Sequence, residues 1–245
     1  MDNQVFGVDV GGTGIKAAVV DTVEGKLISE KIKYATPEPK DPPAILATIK
    51  RLVEAHDWPG PIACGFPAII HDGVCKSAAN IHKDWIGYPV ENYLSEHLGT
   101  SVKVVNDADA AGLAEMKFGE GKGKSGTVIT LTLGTGIGSG MFSDGHLVRN
   151  TELGHLLMWG ESAELKVSNR ARERESLTWH EWGNRLSDYL NHVSFLFTPS
   201  LIILGGGVSK HFSEYESYLD VDCEIVPAAM KNNAGIVGAA LALRA

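Results

Sequence analysis

FGVDVGGTGIK (residues 6–16) and LTLGTGIGSG (residues 131–140) are the two stretches of sequence that decide the fold of this chain. In each stretch an apolar segment typical of a β-strand ends in a turn of glycine and threonine, and a second apolar segment follows at once. Glycine lets backbone amides approach an anion closely, and successive amides form an anion-binding concavity. Because the turn occurs twice, we predict two lobes that hold one polyanion between them, an arrangement that indicates phosphoryl transfer.

The apolar periodicity predicts the same βββαβαβα order in both halves of the chain. In the first half the predicted strands are residues 5–10, 15–21, 26–35, 62–66 and 102–105, and the predicted helices begin after Asp41 and cover residues 90–98 and 108–118. In the second half the predicted strands are residues 127–133, 137–142, 146–148, 201–204 and 224–226, and the predicted helices are residues 177–197, a segment after Ser209 and residues 234–243.

A duplicated α/β unit of this kind resembles the two-lobed actin/hexokinase-like (ribonuclease H-like) ATPase fold, in which ligands occupy an interlobe cleft. We therefore expect an N-terminal lobe over residues 1–120 and a C-terminal lobe over residues 121–245, with the last helix a candidate to pack back on the N-terminal lobe. The charged stretch 164–176 is predicted to be a helix or a surface excursion within the second lobe. The alternative is a single α/β sheet whose halves are similar by chance.

Composition and charge narrow the class of protein. The chain has 245 residues, of which 44% are hydrophobic, and no apolar run approaches the ~18 residues of a membrane span. The first residues have no basic segment followed by an apolar one, so no signal peptide is expected. The three cysteines lack zinc-ligand or disulfide spacing, and we therefore expect a cytoplasmic protein. A net charge of −8 disfavours nucleic-acid binding, and it means that a polyanionic substrate would need a locally basic groove.

Three glycine clusters are the candidate anion and nucleotide sites. Asp9 ends an apolar strand, where a carboxylate needs a partner, and a Mg²⁺ bound to phosphate would be a suitable one. Lys16 is placed to add positive charge, although it would also suit a solvent-facing strand position. We assign phosphate binding to Asp9, Gly11, Gly12, Thr13 and Lys16 of the first turn, and to Gly134, Thr135 and Gly136 of the second. In LIILGGG we assign nucleotide binding to Gly205, Gly206 and Gly207, with tight helix–strand packing as the alternative.

The segment VKVVNDADAAG carries the candidate catalytic group. Asp107 falls at the carboxyl end of a predicted strand, where α/β folds place their ligands. A kinase needs a carboxylate that accepts the proton of the acceptor hydroxyl, and we assign this role to Asp107 with Asn106 as a ligand of a sugar hydroxyl. The alternative is that Asp107 is the helix cap, while Asp109 suits a cap or first-turn position.

Two further polar clusters suit a polyol. Asn80 lies in a loop, with Trp85 as a possible packing surface for a sugar ring, and Glu152 and His155 in NTELGHL supply hydrogen-bonding groups. A satisfied structural histidine is the alternative for His155. Basic side chains form a candidate polyphosphate track, but the RARERE pattern also fits a solvated helix face with local ion pairs. The track comprises Lys16, Lys122, Lys124, Arg149, Arg170, Arg172 and Arg174.

These motifs together resemble the ROK family of sugar kinases, and within it the branch that uses polyphosphate. The motifs are VFGVDVGGTGIK, NDADAAGLAE, LTLGTGIGSG, NTELGH, LIILGGG, AANIHKDWIG and NNAGIVGAALA. The resemblance implies Mg²⁺-dependent transfer of a terminal phosphoryl group from polyphosphate or ATP to the 6-hydroxyl of glucose. It also implies that Asp107 is the base, that Asn80, Asn106, Glu152 and His155 hold the sugar, and that the protein is a homodimer.

Two departures from the family pattern bear on this reading. Most ROK kinases have a cysteine-rich zinc motif after the glycine–histidine pair, whereas no cysteine follows His155 in LLMWGESAELKVSNRARERES, so no zinc site is expected from those ligands. The polyphosphate branch lacks this motif as well. GFPAII also replaces the proline–glycine of many relatives in a loop near the sugar. The alternatives are an ATP-dependent hexose or N-acylhexosamine kinase and a non-catalytic sugar sensor; a DNA-binding repressor would need a preceding helix-turn-helix.

Overall fold

A computed structural model describes residues 3–79 and 81–244 of the chain as two α/β sheets with flanking helices. The strands are β1 (Gln4–Val10), β2 (Gly14–Asp21), β3 (Lys26–Leu27), β4 (Ile32–Ala35), β5 (Ile62–Phe66), β6 (Ile70–His71), β7 (Val74–Cys75), β8 (Val102–Asn106), β9 (Thr127–Leu133), β10 (Ile137–Ser143), β11 (His146–Val148), β12 (Leu157–Met158), β13 (Glu161–Ser162), β14 (Leu201–Gly206) and β15 (Glu224–Pro227). The helices are α1 (Pro42–Ala55), α2 (Val90–Leu98), α3 (Asp107–Phe118), α4 (Glu164–Val167), α5 (Asn169–Arg174), α6 (Trp179–Phe197), α7 (Phe212–Tyr215) and α8 (Ala234–Ala242).

The two large sheets have the same topology. The first has the order β3-β2-β1-β5-β8, with β4 also paired to β2, and the second has the order β11-β10-β9-β14-β15. In both sheets the first three strands of the half pair antiparallel, and the two later strands join in parallel. The predicted duplication is therefore confirmed, and the alternative of a single sheet is wrong.

The chain divides into two compact units, Met1–Ala114 with Asn233–Ala245, and Glu115–Asn232. The first boundary thus follows Ala114 instead of residue 120, and α8 belongs to the first unit. In that unit the alternation of side chains along β1 puts Phe6 and Val8 into a core that α1 covers through Ile45 and Ile49. The opposite face of β1 packs against α8. Among the described residues, no helix combines the length and the hydropathy that crossing a membrane requires.

Three predicted elements differ from the structure. The single strand predicted at residues 26–35 is two short strands, because the Ser29 hydroxyl accepts the Val19 N–H at 2.9 Å and interrupts the ladder between them. The helix predicted after Ser209 is a 3₁₀ turn, Gly207–His211, followed by the single turn of α7; the Ser209 hydroxyl bonds back to the Gly206 carbonyl at 2.9 Å. The charged stretch 164–176 forms the two short helices α4 and α5.

The contact between α3 and α8 gives a test of the fold of the first unit. A Cβ at Gly238 would overlap the carbonyl group of Ala110, which is backbone and has little freedom to move. Although alanine is favoured over glycine in helices by about 1 kcal/mol, overpacking of this kind costs about 1–3 kcal/mol or more. We therefore expect Gly238→Ala to lower the free energy of unfolding, measured by urea denaturation followed by circular dichroism.

The matched control is Gly207→Ala, since no atom lies within 4 Å of a Cβ at Gly207. Its free energy of unfolding should stay within about 0.5 kcal/mol of the wild type. Equal stability of the Gly238→Ala variant and the wild type would contradict the packing described for α3 and α8.

Candidate active site

The carboxylate of Asp9 lies near the end of β1, on the face of the sheet that α8 covers. The register pairs Asp9 with Lys16 of β2, and Lys16 Nζ is 2.8 Å from Asp9 Oδ2. The two side chains are 16% and 26% exposed, so water screens the pair only in part. On the other side, a Cβ at Gly235, in the first turn of α8, would stand 2.7 Å from Asp9 Cγ. Asp9 is therefore held between an ammonium group and a helix backbone.

The first glycine turn, residues 11–13, is braced from β4 and exposed at its tip. The Thr36 hydroxyl donates to the Gly11 carbonyl at 2.6 Å, and the Gly11 N–H donates to the Gly14 carbonyl at 3.2 Å. Gly11 is required by this tight turn, because its Cβ would stand 2.9 Å from the Gly14 carbonyl oxygen. Gly12 differs, since its backbone is not left-handed and no atom lies within 4 Å of its Cβ position. The space beside Gly12 is open to a ligand.

The second glycine turn, residues 134–136, has one open end and one filled end. No atom lies within 4 Å of a Cβ at Gly134, and Thr135 is exposed. The Gly134 carbonyl accepts the Arg170 N–H at 3.0 Å, which fixes the turn to α5. A Cβ at Gly136, however, would overlap the carboxylate of Glu164, which also accepts the Ile137 N–H at 3.1 Å. The turn is therefore open in space at its Gly134 end, although the Gly134 N–H itself donates to the Gly136 carbonyl at 3.0 Å.

Glu152, His155 and Glu164 form one cluster beside this second turn. His155 Nε2 lies 3.8 Å from Glu152 Oε2, and His155 Nδ1 lies 3.8 Å from Glu164 Oε1. Burial raises the pKa of the Glu152 carboxyl, and the charge of Glu164 raises it further, while His155 opposes both effects. The arrangement offers carboxylate acceptors and an imidazole to the hydroxyls of a polyol.

Local packing explains how NTELGH reaches this position. The Ser139 hydroxyl of β10 donates to the Thr151 carbonyl at 2.6 Å and accepts the Leu153 N–H at 3.0 Å. Gly154 lies so close to β10 that a Cβ there would overlap the Ile137 carbonyl. The glycine between Glu152 and His155 is therefore what lets this segment press against the start of β10.

Asn106, and not Asp107, caps α3. The Asn106 side-chain oxygen accepts the backbone N–H groups of Ala108 and Asp109 at 2.9 and 3.0 Å, and its amide donates to the Ala68 carbonyl at 3.2 Å. The interpretation of Asp107 as the cap is wrong. Asp107 begins the helix directly after β8 and is partly exposed, whereas Asp109 in the first turn is 2% exposed.

The third glycine cluster lies on the strand next to the second phosphate turn. Gly206 of β14 pairs with Leu133 of β9, the residue that immediately precedes the turn. Gly206 has the left-handed φ of 84°, and its Cβ would overlap the Leu133 backbone, so both conformation and packing require glycine. Gly205 makes ordinary contacts, and Gly207 faces open space. The predicted nucleotide glycines and the glycines of the second turn thus lie together within one unit, on the neighbouring strands β14 and β9.

Two members of the predicted sugar loop have different outcomes. Asn80 lies outside the described residues. Trp85 is fully buried, its indole N–H donates to the Lys40 carbonyl at 2.8 Å, and its ring meets Phe66 and Tyr88 edge to face. The prediction that Trp85 packs against a sugar is therefore wrong, because the ring belongs to the core.

Several members of the predicted basic track are bonded to protein groups. Lys16 is paired with Asp9, and Lys124 is paired with Glu224. Arg172 stacks on Trp179, with 4.1 Å between its guanidinium carbon and the ring centroid. Arg174 bonds to Glu175 at 2.6 Å. These interactions correspond to the alternative of local ion pairs on a solvated surface. One described contact of the track reaches the second glycine turn, and it is made by the backbone N–H of Arg170.

Sequence reasoning missed two residues of the site, Glu164 and Gly235. Glu164 falls in the charged stretch that the sequence predicts as a helix or surface excursion, although an acidic residue at a helix start just after the His155 segment is a signal for a site residue. Gly235 lies in the motif NNAGIVGAALA, but that motif does not indicate a contact with Asp9, because the contact joins residues from opposite ends of the chain.

Comparison with known proteins assigns the chain to a family. A model described as ROK family matches residues 5–165. The chain belongs to the ROK family. It is 42% identical over 238 residues to the polyphosphate glucokinase of Mycobacterium tuberculosis, an alignment that covers 97% of this chain and 90% of the relative.

Solved structures of similar proteins have the same fold. The inorganic polyphosphate/ATP-glucomannokinase of Arthrobacter sp. strain KM superposes with a TM-score of 0.94 at 47% identity, covering 99% of both chains. A ROK family glucokinase of Streptomyces griseus, in complex with glucose and AMPPNP, gives a TM-score of 0.83 at 27% identity, covering 99% of this chain and 100% of that one. The family recognition and the actin/hexokinase-like fold class are confirmed.

The cluster around His155 predicts an unusual titration. The Glu152 pKa is raised from its ordinary value of 4.5, so this carboxyl should take up its proton at higher pH than an exposed glutamate, and the ionised acceptor is lost as the pH falls through that range. Because the folded pKa is the higher one, stability from this group is present below the unfolded pKa and is lost as pH rises through the folded pKa.

The measurement is a ¹³C NMR titration of the glutamate carboxyls, with Glu152→Gln identifying the resonance. Glu164→Gln should lower the Glu152 pKa, since it removes a neighbouring negative charge. A Glu152 resonance that titrates at or below 4.5 in the wild type would refute the described environment.

Proposed function

We propose that this chain is a glucokinase that transfers the terminal phosphoryl group of inorganic polyphosphate, and also of ATP, to the 6-hydroxyl of glucose. The observation that carries the proposal is that Gly12 and Gly134, in equivalent turns of the two sheets, both face open space. Neither tight packing nor a left-handed backbone explains why glycine occupies these two positions. Backbone at such a position can contact a phosphate directly. The names of the Mycobacterium tuberculosis and Arthrobacter relatives support polyphosphate as the donor and a hexose as the acceptor.

Asp107 is the proposed general base. It follows the capping residue Asn106 at the end of a parallel strand, a rigid position from which a carboxylate accepts the proton of the attacking hydroxyl. The Asn106 amide uses one hydrogen on Ala68 and keeps a second for a sugar hydroxyl. Glu152 and His155 supply further hydrogen bonds to the sugar, and we retain Asn80 in this role from the ROK resemblance.

Mg²⁺ is the proposed metal, with Asp9 as its protein ligand. No group of three or more His, Cys, Asp or Glu residues suited to a metal occurs among the described residues, whereas Asp9 is a single, partly buried carboxylate beside a phosphate turn. One carboxylate fits Mg²⁺, which commonly completes its coordination with water and substrate phosphates. When bound, the ion would neutralise phosphate charge. Lys16 and Gly235 keep the Asp9 carboxylate in one position.

The residues of this chain lower the barrier mainly by position and charge. Phosphoryl transfer requires the acceptor oxygen in line with the bond that breaks, backbone amides along the donor phosphates, and a base that accepts one proton. The protein itself performs little covalent chemistry. The open glycine turns supply the amides, the Glu152–His155 cluster orients the sugar, and Asp107 takes the proton from the 6-hydroxyl as the new O–P bond forms and the donor P–O bond breaks. We further propose a cytoplasmic location, on the spacing of the three cysteines, and a homodimer, on the ROK resemblance.

A second candidate is an ATP-dependent hexose kinase that does not use polyphosphate. The observation that favours it is the position of Gly206 and Gly207 beside the second phosphate turn, where a nucleotide would extend from its phosphates. The Streptomyces griseus glucokinase, solved with AMPPNP, supports this candidate. A non-catalytic sugar sensor is the less favoured alternative.

The deciding assay measures sugar 6-phosphate with ATP and with polyphosphates of defined length as donors, and with glucose and mannose as acceptors. We expect glucose 6-phosphate from polyphosphate as well as from ATP. Activity with ATP and none with any polyphosphate would leave the second candidate, and no activity with either donor would leave the sugar sensor.

Asp107→Asn tests the base in the same assay. We expect kcat to fall by roughly 10²–10⁴-fold with both donors, because amide nitrogen and oxygen cannot accept the hydroxyl proton, while glucose binding measured by calorimetry stays within about threefold. Near-normal kcat in this variant would remove Asp107 from the proposed role.

Gly134→Ala tests the open end of the second turn. The added methyl group meets no protein atom within 4 Å, so the thermal unfolding midpoint should not change. The methyl group should displace the donor phosphate, however, and raise the donor KM by at least about tenfold at an unchanged glucose KM. A wild-type donor KM would show that no phosphate binds at this glycine.

A further inference from the structure

We infer that Glu164 is the residue that stops the donor phosphate chain at the boundary between the phosphate turn and the sugar cluster, and so sets the register of polyphosphate. The inference rests on the proposed function and names a specificity role that Glu164 would have toward one donor class. It concerns a residue to which the sequence assigned no role in the site.

Glu164 physically occupies one half of the second glycine turn. Its carboxylate accepts the Ile137 N–H at 3.1 Å and fills the position of a side chain at Gly136, while the space beside Gly134 stays open. The Gly134 N–H already donates to the Gly136 carbonyl at 3.0 Å, so the two ends of the turn differ in space. A phosphate can approach the turn beside Gly134, whereas at the other end the Glu164 carboxylate occupies the space and accepts the Ile137 N–H. The two ends of the turn therefore differ, and its glycine pattern alone does not show this difference.

The charges around Glu164 strengthen this boundary. Its other oxygen faces His155 Nδ1 at 3.8 Å, and Glu152 lies at 3.8 Å on the far side of the imidazole. The Glu164 side chain is 22% exposed, so its field is less screened than that of a surface carboxylate. Two carboxylates around one imidazole attract sugar hydroxyls and repel an anion. The sugar end of the site is therefore closed to phosphate by charge as well as by space.

Polyphosphate needs such a stop for a physical reason. ATP is fixed along its length by its base and ribose, whereas every interior unit of polyphosphate is the same, so glycine turns alone bind the chain equally well in many registers. Without a barrier, a chain that slides forward by one unit places phosphate where the sugar belongs and blocks the reaction. A negative charge at the end of the turn repels any phosphate that moves past it. The register of lowest energy is therefore the one in which the terminal phosphate stops at this boundary.

The test compares Glu164→Gln with the wild type in inhibition kinetics. Glutamine keeps an acceptor for the Ile137 N–H and removes the charge. We expect polyphosphate to become an inhibitor competitive with glucose, with an inhibition constant about tenfold lower than for the wild type, the scale of one partly screened charge. When ATP is the donor and no polyphosphate is present, ATP itself should not inhibit competitively with glucose.

A binding measurement gives the same answer without turnover. Glucose is titrated calorimetrically into each protein with a chelator present, with and without a polyphosphate of defined length. The added polyphosphate should weaken glucose binding to Glu164→Gln about tenfold and leave binding to the wild type within about twofold. The control is Glu161→Gln, which removes a nearby carboxylate that pairs with Lys166 at 3.3 Å and contacts neither turn nor His155 in the described bonds.

Three outcomes overturn the inference. One is an equal inhibition constant for Glu164→Gln and the wild type, even if the glucose KM changes. Another is a Glu164→Gln variant in which ATP inhibits competitively with glucose as strongly as polyphosphate does. The last is a wild-type-like Glu164→Gln beside a Glu164→Ala that fails with both donors, since Glu164 would then only brace the turn. Failure of the proposed function itself has a different signature, namely a wild type that makes no sugar phosphate from polyphosphate.

Discussion

The close approach of backbone to functional side chains, which only glycine permits, is the constraint on which the candidate site depends. Gly235 lets the first turn of α8 lie against the Asp9 carboxylate, Gly136 leaves the space that Glu164 fills, and Gly154 lets the Glu152–His155 segment press against β10. In each case a single methyl group would collide with a site residue or with backbone. The absent methyl groups therefore leave the room that these side chains and this segment occupy.

The charges around each carboxylate give Asp9, Glu152 and Glu164 different proposed roles. The protein carries a net charge of −8 and is proposed to bind a polyanion, so the position of each negative group matters. Asp9 is neutralised by Lys16 at 2.8 Å and is the carboxylate proposed to meet a metal ion. Glu152 and Glu164 share one imidazole, and we propose that they make their end of the site suitable for hydroxyls and unsuitable for phosphate.

Much of the architecture was readable in the sequence because it depends on local patterns. Strand alternation and helical spacing located nearly every long element, and the repeated glycine turn indicated the duplication that the two sheets confirm. The errors arose where a side chain competed with the backbone or where burial decided. Ser29 interrupted a strand, Asn106 took the cap that Asp107 was considered for, and Trp85 went to the core and not to a sugar.

The sequence by itself determined the family, the duplicated fold, the order of the motifs and the chemistry that the turns and carboxylates can offer. Only the tertiary structure decided which glycines are open and which are filled, that Gly235 borders Asp9, and that Glu164 divides the second turn. The physical reason is that residue type and spacing determine backbone conformation and polarity, whereas steric complementarity and the field around a charge depend on residues far apart in the chain. Those residues become neighbours only when the sheets and helices have packed.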